Sequence, residues 1–322
     1  MLKKVVRFAL ATFFLPVVTF AHVKWFAVEE APVRPYEFTD TPVIIATVLA
    51  LIITSIGFYL DKKLKIPSWF KNFITRWSPH TLTLASMGFG LAFIIFSYNG
   101  FIFAPNLVPQ GLIAGPLILL QALAGVMILL GLYERVGGAL ILLLFALSVS
   151  QFGGVEMLDT LEMVGFAIYA IIVGRPKWKI ADTNIFQTLT HHIHDYGVPT
   201  LRVATGLNLI ILGFSEKILT PSLTANFLSM HDWNFMQMLG FEQFTNYWFA
   251  FSAGATEALF GLLLVLGVVT RLTTITLAVF LVTTLFLLGP VELIGHIPHF
   301  SIAIVLLVLG AGSKLRLRKN VD

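Results

Sequence analysis

Glu257 is the residue whose position most strongly suggests chemistry. It lies about ten residues into the predicted membrane span 247–268, which otherwise holds almost only apolar and small side chains. A carboxylate near the middle of such a span is costly and by default indicates a functional site. We expect Glu257 to transfer protons or to contact an ion or a quinone, with Lys217 as its counter-charge and His296 as a proton relay. The alternative is a neutral Glu257 that joins helices through hydrogen bonds.

A second group of titratable residues follows at the end of another apolar run. Glu292, His296 and His299 are spaced so that they would share one face of a helix. Carboxylate and imidazole at this spacing suit metal ligands or a proton relay. Pro298 weakens that geometry if it interrupts the helix. The alternative is that these polar side chains cap a helix at the membrane surface.

Copper is the metal that the residue types favour. The stretch 230–238 contains thioether and imidazole side chains, and the chain has no cysteine, which is the ligand set expected for Cu(I). An amphipathic helix lying on the membrane is the alternative for this stretch. A cleaved signal peptide would leave His22 as the first residue, where its amine and imidazole would chelate Cu(II). The candidate metal ligands are His22, Met230, His231, Glu292, His296 and His299.

Composition identifies a membrane protein. The chain has 322 residues, of which 57% are hydrophobic and 12% are charged, whereas soluble domains carry about 25% charged residues. Several apolar runs of nearly 20 residues are long enough to cross a hydrocarbon layer of ~30 Å as helices. The sequence therefore predicts an all-α membrane protein, a bundle of about nine transmembrane helices in the lipid bilayer.

Positive charge sets the predicted orientation. The net charge of +4 comes from Lys and Arg in short loops and in the C-terminal tail, so it indicates orientation in the membrane and no nucleic-acid partner. We predict a multi-pass protein of a bacterial-type inner membrane, with a cytoplasmic C-terminus. The predicted divisions are a signal peptide or retained first helix (1–21), a non-cytoplasmic segment (22–41), an extra transmembrane helix (42–60), a first repeat (78–175), a cytoplasmic linker (176–199), a second repeat (200–313) and a basic tail (314–322).

The two repeats come from an internal similarity. A shift of 136 positions places Gln121 on Glu257 and Arg135 on Arg271, and a shift of 116 applies before that segment. Each copy has four predicted spans, so both copies would enter the membrane in the same direction. The second copy has Glu257, His296 and His299 where the first has Gln121, Thr160 and Met163. We therefore expect the second copy to hold the site.

The second repeat resembles the DoxX-like family of integral membrane proteins. Gly213, Lys217 and Pro221 resemble the signature at the outer end of the family's first helix. Glu257 and the later Thr270-Arg271 turn resemble its second helix and the turn after it. The resemblance covers about 200–312, and residues 81–175 look like a degenerate copy without the Lys and the Glu.

The resemblance implies a four-helix integral unit. The family includes subunits of thiosulfate:quinone oxidoreductase, which implies a redox- or quinone-linked role at a polar site on the non-cytoplasmic side. A membrane protein that binds or transports copper is the first alternative, and a scaffold subunit without chemistry of its own is the second. Quinone or copper would be the cofactor, and redox or metal-handling proteins of the periplasm would be the partners.

Overall fold

The described chain is all helix and turn. In this computed structural model no strand is present among the described residues, apart from one isolated bridge between Leu132 and Ala181. The prediction of an all-α membrane bundle is confirmed. The predicted signal peptide 1–21 and His22 lie outside the described residues. The structure describes residues 24, 33–175, 177–182, 190–231 and 233–317.

Most of these helices are apolar along their whole length. A short 3₁₀ turn, Ser78–His80, leads into α3, and a π-helical turn, Gly213–Ile218, extends α8. In chain order the helices are α1 (Thr41–Lys63), α2 (Ser68–Trp77), α3 (Thr81–Asn99), α4 (Ala114–Leu130), α5 (Glu134–Phe152), α6 (Gly154–Leu158), α7 (Leu161–Val173), α8 (Gly197–Leu212), α9 (Pro221–His231), α10 (Phe235–Met238), α11 (Asn246–Leu266), α12 (Thr270–Leu288) and α13 (Pro290–Leu309).

Helix length and hydropathy suit a membrane. Two apolar helical segments, Leu161–Val173 and Thr270–Phe286, are shorter than the seven candidate membrane spans given next. The prediction of about nine spans counts both of them. Seven segments of the described chain are long and apolar enough to cross a bilayer: Thr41–Lys63, Ser68–Asn99, Gly111–Leu130, Glu134–Phe152, His191–Ile218, Asn246–Leu266 and Glu292–Leu309.

Two sets of four long helices pack side by side. The first set is α3, α4, α5 and α7, and the second is α8, α11, α12 and α13. The sets meet where α7 packs on α8 and where α3 packs on α13. Glycine permits both contacts. An added Cβ on Gly165 would meet Ala204 of α8, and an added Cβ on Gly88 would meet Ser301 of α13. We call the sets the first half and the second half.

The two halves share local geometry at the predicted register. Gly131 and Gly267 both end a helix with a positive φ, at 63° and 69°. Arg135 Nε donates to the carbonyl of Ile171 at 3.1 Å, and Arg271 Nε donates to that of Leu307 at 3.0 Å. Each of these pairs is 136 positions apart in the chain. The duplication itself stays a prediction.

The direction of the helices shows that the basic loops lie together at one end of the bundle. The C-terminal ends of α1, α4, α7, α11 and α13 lie together at the end of the bundle where the basic loops and the tail are found. We call this the basic end and the other the opposite end. The prediction that the basic end faces the cytoplasm rests on the charge rule alone.

The last span differs from the prediction. Hydropathy of the sequence predicts a last span over 299–312. Its start is wrong, because α13 begins at Pro290, where a proline is favourable in the first turn. Pro298 lies inside this helix and does not end it. Glu292, His296 and His299 therefore do occupy one continuous helix.

Close contact between α8 and α11 depends on glycine. An added Cβ on Gly206 would lie 2.6 Å from the carbonyl oxygen of Gly261. An added Cβ on Gly261 would likewise meet the carbonyl oxygen of Gly206. We expect Gly206→Val to separate these helices and to lower stability by about 1–3 kcal/mol, the usual effect of overpacking. Thermal unfolding of the purified protein in detergent measures the loss. Gly115→Val is the matched control, since nothing lies within 4 Å of its Cβ position, and equal melting temperatures for the two variants would contradict this account.

Candidate functional site

A buried ion pair lies at the centre of the second half. Lys217 Nζ lies 2.7 Å from Glu257 Oε2, and the two side chains are 0% and 2% exposed. Glu257 is midway along α11, so the pair lies at mid-depth of the apolar layer. Opposite charges at this depth stabilise each other, because both side chains are shielded from bulk water. The structure thus brings together the two residues predicted as carboxylate and counter-charge.

Local backbone geometry delivers Lys217 to this position. The turn Gly213–Ile218 is π-helical, and the Leu219 N–H donates to the Phe214 carbonyl at 2.8 Å. Such turns are rare and occur frequently at functional sites. An added Cβ on Gly254 would lie 2.8 Å from Lys217 Cβ, so glycine is required for the approach. The wider turn places two consecutive charged residues, Glu216 and Lys217, inside the protein.

Further charged residues lie between this pair and the opposite end of the bundle. Glu216 Oε2 lies 4.0 Å from Lys217 Nζ, and the charges of Asp159 and Lys24 also act on Glu216. Lys24 Nζ lies 2.7 Å from Asp159 Oδ2. We call the series Glu257, Lys217, Glu216, Asp159 and Lys24 the charged series. It runs from mid-depth to the opposite end and draws on the N-terminal segment and on both halves.

The outer members of the charged series influence each other's protonation. Burial raises the pKa of Asp159, and the Lys24 ammonium acts against this shift. Burial alone would lower the pKa of Lys24, but the hydrogen bonds and charges of Asp159 and Glu156 outweigh it and raise that pKa. Lys24 therefore holds its proton strongly, and Asp159 takes one up more readily than an exposed aspartate.

The predicted histidine face forms a second polar group beside the first. His296 Nδ1 lies 3.3 Å from Glu292 Oε1, and the rings of His296 and His299 are 5.2 Å apart. His299 Nε2 lies 3.9 Å from Glu162 Oε1 of α7. All four side chains are buried, with His299 the most exposed at 9%. This group, the histidine group, therefore lies between the halves and does not cap a helix in water.

One cavity joins the two polar groups. It has a volume of about 50 Å³ and is lined by all four long helices of the second half, including Glu257 of α11 and His299 of α13. Most of the remaining wall is apolar, for example Leu277 and Leu281 of α12. The volume exceeds the ~10–15 Å³ that a single water molecule requires. Glu257 and His299 therefore face the same space.

The first half has a neutral residue, Gln121, at the position that corresponds to Glu257 in the predicted register. Gln121 Oε1 accepts the Phe103 N–H at 2.8 Å, and its Nε2 donates to the Phe101 carbonyl at 2.9 Å and to Ser97 Oγ at 3.2 Å. In the predicted register Gln121 corresponds to Glu257 and Phe101 to Lys217. A neutral hydrogen-bonded group thus stands where the second half has an ion pair. The ion pair is not required merely to hold four such helices together.

The predicted copper ligands are only partly described. His22 and the side chain of His231 lie outside the description, and Met230 is 62% exposed. Among the described residues, no group of three or more His, Asp or Glu side chains is arranged to hold a metal ion. The copper site therefore stays a prediction.

Sequence reasoning did not assign Glu162, Glu216, Asp159 or Lys24 to the site. Glu162 is a single charge at the beginning of an apolar helix, which is a signal that could have found it. Asp159 and Lys24 lie outside the long helices, and only the folded chain brings them together.

Residues 197–290 match the family described as DoxX. The matched segment includes Lys217 and Glu257 and ends before Glu292. No curated protein and no solved structure matches the chain. The match thus supports the predicted resemblance of the second repeat to DoxX proteins. It does not extend to residues 78–175, so the duplication stays a prediction.

The ion pair predicts a pattern of stabilities. Lys217→Met should destabilise the protein by about 3–5 kcal/mol, because it leaves the Glu257 carboxylate buried without its counter-charge. Adding Glu257→Gln to that variant should restore much of the loss, since it removes the charge left behind. Thermal unfolding of the purified wild type, both single variants and the double variant measures this coupling. Additive effects of the two substitutions would show that the pair does not interact as described.

Proposed function

We propose that this DoxX-like membrane protein has a redox- or quinone-linked role, and that its second half handles the protons of that reaction. The cavity carries the proposal, because Glu257 and His299 line it from two helices while Lys217 pairs with Glu257. A mostly apolar pocket with a few convergent polar groups is the usual form of a small-molecule site.

Quinone chemistry needs groups of this kind inside the membrane. Reduction of a quinone to a quinol consumes two electrons and two protons, and oxidation releases them. Those protons must reach mid-depth through side chains or water, since hydrocarbon does not carry charge. The charged series contains three carboxyl groups that this proposal assigns to that route, those of Asp159, Glu216 and Glu257.

Each residue has a distinct role in this proposal. Glu257 takes up or releases the proton, and Lys217 stabilises its anionic form. His299 provides a hydrogen-bonding imidazole in the cavity wall, because one neutral ring offers both a donor and an acceptor. His296 relays protons between His299 and Glu292, which it contacts on the same helix.

The electrons come from outside this chain. The sequence contains no cysteine, so the chain has no thiol couple of its own. We infer a separate redox protein or reducing substrate at the opposite end of the bundle, where the charged series ends at Lys24 and Asp159. This assignment places the electron donor on the non-cytoplasmic side.

A quinone ring would reach the site from the lipid. The cavity of about 50 Å³ is smaller than such a ring, so a helix has to move to admit it. α12 packs mainly on α13 and less extensively on α11. Its cavity face consists largely of apolar side chains such as Leu277, Ala278 and Leu281. Displacement of α12 from α11 would open the cavity towards the acyl chains.

Filling the cavity should weaken quinone binding. Leu281→Trp places a larger side chain in the cavity and is expected to weaken binding of decylubiquinone by about tenfold or more, a free-energy loss of ~1.4 kcal/mol or greater. Isothermal titration of the purified full-length protein measures the affinity. Val282→Trp is the matched control, since Val282 is the next residue and is 41% exposed. Equal affinities for the two variants would overturn the assignment of the cavity.

The same preparations test the alternatives. Bound copper that is lost on His296→Ala would favour the copper function over the quinone function. A protein that binds neither quinone nor copper would favour a scaffold without chemistry of its own.

A further inference from the structure

A second and larger cavity lies at the basic end. It has a volume of about 510 Å³ and lies between the C-terminal end of α1, the beginning of α12 and the C-terminal end of α13. It is separate from the site in the second half and shares no lining residue with that cavity. We call it the basic cavity.

Positive charge dominates the walls of the basic cavity. Lys65, Arg271 and Arg316 line it, against one carboxylate, Asp61. Asp61 Oδ1 already accepts the backbone N–H of Val269 at 3.0 Å, so part of its acceptor capacity is engaged. The balance of charge in the cavity therefore favours an anion.

A guanidinium from α8 adds to this positive potential. An added Cβ on Gly267 would lie 2.8 Å from Arg316 Cβ and 3.1 Å from Arg202 Cζ, so these two arginines lie side by side. Arg202 Nε donates to the Ala311 carbonyl at 3.0 Å, and Arg271 Nε donates to that of Leu307. Arg202 and Arg271 thus donate to carbonyl groups at the end of α13 that would otherwise repel an anion.

The beginning of α12 supplies donors to the same space. Thr270, the first residue of this 19-residue helix, lines the cavity and is 4% exposed. Within the described residues its Oγ1 has no hydrogen-bond partner, although burial of a hydroxyl group normally requires one. The first backbone N–H groups of a helix also lack partners within it and bind oxyanions readily. A phosphate oxygen in the basic cavity would satisfy both kinds of donor.

The apolar surface beside the basic cavity favours a lipid as the source of such a phosphate group. An apolar stripe on α12 begins at the cavity and continues towards the opposite end, with side chains between 41% and 84% exposed. The neighbouring α2 carries aromatic and basic side chains, among them Trp69 at 71% exposure, as expected of a helix at the membrane surface. The stripe consists of Leu272, Ile275, Val279, Val282 and Phe286.

We propose that the basic cavity binds the phosphate group of an anionic phospholipid, with the acyl chains along the apolar stripe of α12. Lys65 and Arg316 contact the phosphate, and the Thr270 hydroxyl donates to it. A zwitterionic lipid binds more weakly, because its ammonium group would meet the same cations.

Native mass spectrometry of the purified full-length protein tests this site. The protein is incubated with phosphatidylglycerol or with phosphatidylcholine that has the same acyl chains. We expect selective retention of phosphatidylglycerol. The double variant Lys65→Gln/Arg316→Gln should weaken that retention by about tenfold, since each cation near the surface contributes to anionic-lipid binding. Thr270→Val should weaken it several-fold and is the second variant if the first does not fold.

Lys71→Gln/Arg76→Gln is the matched control, because both residues are basic, lie on α2 and do not line the cavity. Its retention of phosphatidylglycerol should equal that of the wild type. Equal loss in the control, or equal retention of phosphatidylcholine by the wild type, would overturn the proposal. Retention of inorganic phosphate to the same degree as phosphatidylglycerol would also overturn the proposal, since the site would then take free phosphate.

Discussion

The ion pair between Lys217 and Glu257 is the interaction on which the second half depends. Two ionised side chains inside hydrocarbon are tolerated only when each closely meets the other, because desolvation costs several kcal/mol per ion. Their 2.7 Å contact in turn requires glycine at 254 and the π-helical turn that begins at Gly213. The local backbone and the helix packing therefore serve to bring one amine to one carboxylate.

This constraint explains the difference between the two halves. The first half has the same kind of helix packing with a neutral Gln121 at the equivalent position, where backbone groups satisfy its amide. Charge at mid-depth is therefore a property of one half, and stability alone does not account for it. The nearby cavity, and the contact between Glu162 and His299 across the halves, give that charge a polar neighbourhood.

Much of the architecture was accessible from the sequence, but the connections between polar groups were not. Hydropathy predicts the spans, and Glu257 and Lys217 stand out because charges are rare in apolar runs. The π-helical turn has no compositional signature, so the burial of Glu216 was not predicted. The contact of Glu162 with His299 joins residues from different halves and depends on tertiary packing. The start of α13 was missed although its proline is a known signal.

The central claim is that Glu257 changes protonation when a quinone changes redox state. Infrared difference spectra of the full-length protein in lipid, taken between oxidised and reduced decylubiquinone, detect this change as a carboxyl band. The account predicts such a band in the wild type and in Glu37→Gln, whose carboxylate is exposed, and its loss in Glu257→Gln. Identical spectra for the wild type and Glu257→Gln would contradict the account.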